Sequence, residues 1–285
     1  MIPSTFDYVR PNSVDEAISA LKAGGEDSKV ITGGQSMLPL LRLRLAAPSV
    51  LVDCGRIDEM KGIKDNGDSV TIGAATTHWD VLHSDIVNKH VKLLAQATET
   101  VADPQIRHRG TFGGALAHGD PAGDLPAVVL ALDATLEIAG SKGRRQVAAK
   151  DFFLDYFTTA VGPDEILVSI TIPKLGKGWG TCYEKFNRSA NGWAVVGVAA
   201  AVKVDGGKIT EARIALTNCA AVPVRASSVE SALKGVAAKV SEIEAASQSA
   251  AEGTRATSDL AADKEYREHL MRVITARAVS CAAGV

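Results

Sequence analysis

Val14, Ala17, Ile18 and Leu21 recur at the spacing of one helix face. Ser13 precedes them as an N-cap, Glu16 stands in the capping-box position, and Gly24-Gly25 closes the run. A short apolar strand over 29–32 runs directly into Gly33-Gly34-Gln35-Ser36, and a second strand over 49–53 runs towards Gly55. Alternation over 69–77 predicts a further strand. The spacing then turns helical over 79–86 and 90–101, and again in a short buried helix over 125–132. Strands follow over 134–139 and 165–172, the second stopped by Pro173.

The stretch from Pro173 to Gly180, with Lys-Leu-Gly-Lys-Gly-Trp-Gly, is loop-like and marks a boundary. Beyond it, strands over 182–188, 193–204 and 208–216 predict a three-stranded antiparallel meander. Asp205-Gly206-Gly207 makes the hairpin between the last two. The remainder is helical over 227–233, 240–251 and 264–278. In the last helix Tyr266, Leu270, Val273, Ile274 and Arg277 are expected to share a face. There is no internal repeat.

Composition narrows the classes. The 285 residues are 46% hydrophobic with a formal net charge of −2, which excludes a nucleic-acid binder carried by bulk charge. Aromatics are only 5%, so the core is built from small and aliphatic side chains. The longest apolar run, 193–202, is about half the ~18 residues of a membrane span. Met-Ile-Pro-Ser-Thr-Phe-Asp has no basic region before an apolar stretch, so no signal peptide is expected. Cys54, Cys182, Cys219 and Cys281 are scattered with no Cys-x-x-Cys pair. That pattern suits a reducing cytoplasm better than a disulfide scaffold, an iron–sulfur cluster or a structural zinc.

Two glycine-rich segments carry the candidate chemistry. Thr32-Gly33-Gly34-Gln35-Ser36 follows a strand, and Arg109-Gly110-Thr111-Phe112-Gly113-Gly114-Ala115 precedes a helical stretch. Adjacent glycines permit positive φ and close approach of an anion to the amides. Turns use the same residues, so either segment alone is also an ordinary turn. Neither has the Gly-Lys-Ser/Thr of a Walker A loop or the Gly-x-Gly-x-x-Gly of a Rossmann fingerprint. Together, with no basic side chain inside either glycine turn, they suggest a dinucleotide held mainly by backbone amides. His78, His108 and His118 are not spaced as a metal site. Arg107 and Arg109 flank the second loop, where they could face a cofactor phosphate, a partner carboxylate or solvent; a partner or solvent is the favoured reading. Trp193 is either a core or interface anchor or a shield over a cofactor ring.

Five segments, in order, carry a resemblance across nearly the whole chain. They are Gly33-Gly34-Gln35-Ser36 continued by Met37-Leu38-Pro39-Leu40, the run from Thr111 through His118-Gly119-Asp120-Pro121-Ala122-Gly123-Asp124 to Pro126, Pro163-Asp164-Glu165-Ile166-Leu167, Lys185-Phe186-Asn187-Arg188, and Asp263-Lys264-Glu265-Tyr266-Arg267. With them the sequence resembles the flavoprotein (medium) subunit of molybdenum hydroxylases of the carbon-monoxide-dehydrogenase type. The resemblance implies an α+β fold: a two-lobed FAD-binding domain of the vanillyl-alcohol-oxidase/murB-like, PCMH type over 1–177, with lobes about 1–55 and 56–177, and a C-terminal domain over 178–285.

It also implies that Lys29, Val30, Ile31, Thr32, Gly33, Gly34, Gln35 and Ser36 wrap the FAD pyrophosphate. Thr111, Gly113, Gly114 and Ala115 complete the cradle, Asp124 binds ribityl or phosphate-proximal groups, and Val101, Leu167 and Lys185 touch the flavin. Trp193 is the candidate shield. Relatives usually have Ala at Thr32 and Ile at Phe112. The implied cofactors are noncovalent FAD here, and [2Fe–2S] clusters and a molybdenum–cytosine dinucleotide in a small and a large partner subunit. A dimer of heterotrimers at a cytoplasmic location, at or near the inner membrane face, would pass electrons to an acceptor such as a quinone. No general acid or base of this chain is required. A free-standing flavin oxidase and a non-catalytic nucleotide-binding scaffold are the competing readings of the loops alone.

Overall fold

The computed structural model describes residues 2–285. The first apolar face forms the helix Val14–Gly24, with Val14, Ala17, Ile18 and Leu21 all buried. Its capping box closes from both sides: Glu16 N donates to Ser13 Oγ and Asn12 N to Glu16 Oε2. This helix packs on a three-stranded parallel sheet in the order Asp7–Val9, Val50–Asp53, Ser28–Ile31.

A second sheet has five antiparallel strands, ordered Ile63–Asp65, Ser69–Gly73, Ile166–Pro173, Thr135–Gly140, Gly143–Ala148. The strand expected over 69–77 stops at Gly73. There the backbone runs against Met60 and Lys61 with no room for a Cβ, and Ala74 N turns to the Val168 carbonyl. The helix expected over 79–86 is two helices, His78–Leu82 and Asp85–His90. Thr77 and Ser84 each accept a first-turn amide, so the second cap restarts the chain after a break at His83. The helix expected over 90–101 is confined to Lys92–Glu99. The short helix Asp124–Ala131 is buried along its whole length.

The C-terminal sheet has four strands, not three: Trp179–Phe186, Val196–Asp205, Lys208–Thr217 and the two-residue Val224–Arg225, all antiparallel. The fourth is too short to show alternation. Side chains alternate across this sheet and both faces are covered. Tyr183, Ala199, Ala201 and Ala215 join the core of the preceding sheet and helices. Cys182, Val198, Ala200, Val202, Ile214 and Leu216 face the other way, against helices Ser227–Leu233, Val240–Ser247 and Lys264–Ala283. Double burial explains the unbroken apolar run.

The last helix is longer than expected, and its buried face is rotated. Arg267, Leu270, Met271, Ile274, Thr275 and Ala278 point inward, while Tyr266 and Arg277 are exposed. The cysteines also depart from the scattered reading. Cys182 and Cys281 form a disulfide with Cα atoms 5.9 Å apart, across a sequence separation of 99. Cys54 and Cys219 are free and buried. Among the described residues, no helix is long and apolar enough to cross a membrane.

Candidate functional site

The strand Ser28–Ile31 delivers the chain to Thr32, and the helix Met37–Leu43 begins after Ser36. Within this turn Gly34 has φ of 76°, the positive φ anticipated for a glycine pair. Gly33 is needed for a different reason. A Cβ there would overlap the Arg109 carbonyl and lie 2.9 Å from Gly110 Cα. The two glycine loops therefore touch backbone to backbone.

Hydroxyls hold the same junction. Thr32 Oγ1 and Thr111 Oγ1 are 2.9 Å apart, and Thr111 Oγ1 accepts Gly114 N at 3.2 Å as the N-cap of helix Phe112–His118. Gly114 is helical, and a Cβ on it would stand 2.6 Å from Thr111 Oγ1 and 3.2 Å from Thr32 Oγ1. Gly113 packs against Ala74 with no space for a side chain.

The amides divide unequally between the loops. Those of Gly33, Gly34, Gln35 and Ser36 donate to no acceptor among the described residues. In the second loop Phe112 N goes to Thr76 O, Gly113 N to Ala74 O and Ala115 N to Thr111 O. The anticipated pair of amide nests is thus one nest, at 33–36. The second loop contributes hydroxyls and close approach, because its amides stitch it to the 74–76 segment. Beside the junction lies a cavity of about 260 Å³, lined by Gly55, Gly62, Ala75, Thr76, Thr77 and Asp80 among others. These wall residues carry no motif; only the glycine after the strand Val50–Asp53 hinted at them.

A second centre lies at the C-terminal sheet. Lys185 Nζ donates to Asp124 Oδ2 at 2.8 Å and to the Thr100 carbonyl at 3.1 Å, and Tyr183 Oη donates to Asp124 Oδ1 at 2.7 Å. Asp124 and Lys185 are both almost fully buried. Burial holds the Asp124 carboxyl above its usual range against the opposing pull of Lys185, and lifts the Tyr183 phenol well above its own. Both carboxylate oxygens of Asp124 are therefore already engaged within the chain.

Val101 is half-buried in the adjoining turn, and its carbonyl accepts Arg107 Nη1 at 2.8 Å. Arg107 also reaches the Glu99 and Ala102 carbonyls. It is a staple for this turn, which corrects its assignment to partner or solvent. Arg109 is exposed. Leu167 is buried where a bulge interrupts the strand Ile166–Pro173. Lys29, Val30 and Ile31 lie on the strand feeding the first loop.

Trp193 is 61% exposed, in the loop before the strand Val196–Asp205 rather than inside it. It is not a core anchor. Its loop leans on the turn after Val101 through Asn191 Nδ2 and Asp103 Oδ2, 3.4 Å apart. The buried Arg267 holds the far end of the loop through the Val195 carbonyl, with Asp259 2.8 Å from its guanidinium. His78, under the second loop, is buried, and its Nδ1 has no partner. Burial, with the charge of Arg107, pushes its pKa down to about 4. His108 stacks on Trp79 and His118 tilts against Phe157.

Two domain families match in tandem. Residues 4–175 match the FAD binding domain in molybdopterin dehydrogenase, and residues 181–282 match the CO dehydrogenase flavoprotein C-terminal domain. The chain belongs to the molybdopterin-dehydrogenase flavoproteins. As a medium subunit of this family it is an FAD-binding part of a multi-subunit oxidoreductase. It is 39% identical to the carbon monoxide dehydrogenase medium chain of Hydrogenophaga pseudoflava over 282 residues, spanning 99% of this chain and 98% of that one. A solved structure of that organism's carbon monoxide dehydrogenase, lacking the Mo-pyranopterin moiety, superposes with a TM-score of 0.97 at 40% identity and covers 100% and 99% of the two chains. Quinoline 2-oxidoreductase from Pseudomonas putida 86 gives a TM-score of 0.95 at 34% identity, with the same coverage. The site of this flavoprotein fits the diphosphate of FAD: four free amides, and a cradle that added Cβ atoms would fill.

Proposed function

We propose that this medium subunit holds one noncovalent FAD across the Thr32–Thr111 junction and relays electrons through it. They would come from [2Fe–2S] clusters of a small partner subunit, fed by a molybdenum–cytosine-dinucleotide site in a large one. They would leave to an external acceptor such as a quinone. The observation that carries this reading is the direct contact of the two glycine loops beside the free amides at 33–36.

When bound, FAD supplies the redox chemistry. The chain's residues bind and orient it. Lys29 to Ser36 and Thr111 to Ala115 take the diphosphate, and the cavity at Gly55 and Thr77 suits the adenosine end. Asp124, Lys185, Val101 and Leu167 form the flavin end, with Trp193 as its shield. The Lys185–Asp124 pair is neutral as a unit, so it orients without placing a bare charge in the interior. The working division is 1–177 for FAD and 178–285 for the second domain. A cytoplasmic dimer of heterotrimers fits the same reading. Carbon monoxide and quinoline both occur in the names of relatives, so membership of this family does not fix the primary substrate, which this reading assigns to the large subunit.

The test uses the FAD-loaded chain without oxygen. Carbon monoxide, aldehydes and N-heterocycles should leave the isolated flavin oxidised. Adding both partner subunits should let the right substrate bleach it. Bleaching of the isolated chain would overturn the relay and favour a free-standing oxidase.

A further inference from the structure

Cys182 and Cys281 are joined across a sequence separation of 99, and they differ in access. Cys182 is 5% exposed, on the strand Trp179–Phe186. Cys281 is exposed, in the last turn of the helix Lys264–Ala283. A carboxylate stands beside them: Glu184 shares the strand face of Cys182, and its Oε1 lies 3.8 Å from Cys182 Sγ. The sulfurs do not depend on their bond to meet. On the same strand Gly180 leaves no room for a Cβ, because the Ala282 carbonyl lies against it. Strand and helix end are thus in backbone contact beside the pair, and Val198, Ala200, Met271, Ile274 and Ala278 share one core with Cys182. With the bond open, two thiols face each other, and Cys182 S–H donates to Glu184 Oε1. Burial and that carboxylate both disfavour a Cys182 thiolate, which leaves Cys281 as the sulfur at which exchange begins.

We propose that Cys281 is a thiol–disulfide exchange site for small-molecule disulfides, with Cys182 as its resolving thiol. In the open form Cys281 gives its proton to solvent and its thiolate attacks one sulfur of the small disulfide. That S–S bond breaks, a mixed disulfide forms on Cys281, and one small thiolate leaves and takes up a proton. Cys182, held at the high effective concentration of a packed neighbour, then attacks Cys281 Sγ. The mixed disulfide breaks, and the second small thiolate leaves with the proton that Cys182 gives up. The protein dithiol has lost two electrons, and the small disulfide has become two thiols. Reduction runs the same steps backwards, starting with a small thiolate at the exposed Cys281 sulfur. The Glu184 carboxylate and the negative end of the helix stabilise neither thiolate, so the closed form is favoured over the open one.

The full-length chain is reduced with dithiothreitol under native conditions, freed of reductant and exposed to glutathione disulfide. Free thiols are then counted by alkylation in denaturant and intact mass. The parent should go from four thiols to two, with no glutathione retained, and dithiothreitol should restore all four without unfolding. Cys54 and Cys219, buried and free, should stay thiols throughout. Cys182→Ala cannot resolve the mixed disulfide and should hold one glutathione at Cys281, whereas Cys281→Ala should hold none. The parent alone carries the test if a variant fails to fold. A bond that opens only in denaturant would make the pair a fixed cross-link and overturn the proposal. A parent that keeps a stable glutathione adduct, or equal adducts on the two variants, would overturn the assigned order. A reduced chain that retains one Zn²⁺ through dialysis and then resists glutathione disulfide would make the two thiols and Glu184 a metal site instead, and would also overturn it.

Discussion

Lys185 lies 2.8 Å from Asp124, and the two charges are buried together between the C-terminal sheet and the helix Asp124–Ala131. Period-2 alternation on the strand Trp179–Phe186 sends Tyr183 and Lys185 to this side and Cys182 to the other. One short strand therefore supplies both partners of Asp124 and, on its opposite face, the disulfide to Cys281.

Removing one member of that pair leaves the other charge buried alone. Lys185→Met or Asp124→Leu should each lower unfolding free energy by about 3–5 kcal/mol. The double variant, which leaves no lone charge, should be less destabilised than the two losses added together. Chemical denaturation of the three variants checks this. Additive losses would mean that the two charges are not coupled.

Gly33 tests the contact between the loops. Gly33→Ala drives a Cβ into the Arg109 carbonyl, so the loops must part. The variant should purify with little FAD. Gly176→Ala adds a Cβ where nothing lies within 4 Å and should retain full occupancy. The flavin-to-protein absorbance ratio reads both. Neither Gly33 nor Gly114 adopts positive φ; that need falls on Gly34, and the other two are fixed by crowding.

His78 predicts a pH dependence. Its folded pKa is depressed to about 4 against an ordinary 6.5, so the unfolded chain binds the extra proton between those values. Stability from the neutral ring is complete above about pH 6.5, falls as the pH drops through the window, and levels off below about 4. The full effect is on the order of 3 kcal/mol. His78→Gln should flatten this part of the stability profile measured by denaturant between pH 7 and pH 4.5. An unchanged slope would show that other groups carry it.

The sequence made local devices legible. The capping box at Ser13 and Glu16, the hairpin at Asp205-Gly206-Gly207 and both glycine loops depend on neighbours in the chain. What stayed hidden needed long-range contact. The Cys182–Cys281 bond and the Tyr183–Asp124–Lys185 cluster join residues whose spacing carries no signal. The edge strand Gly143–Ala148 is exposed over most of its length, so Gly-Arg-Arg-Gln shows no apolar alternation. The division of amides between the loops was equally invisible, since it depends on the second loop pairing with Ala74 and Thr76.

The identity of the released cofactor tests the central claim most directly. Two joined loops with a free amide nest call for a diphosphate. Heat or acid treatment of the purified chain should release FAD into the supernatant at about one per chain. Release of FMN, or flavin that stays with the precipitated protein, would contradict the account.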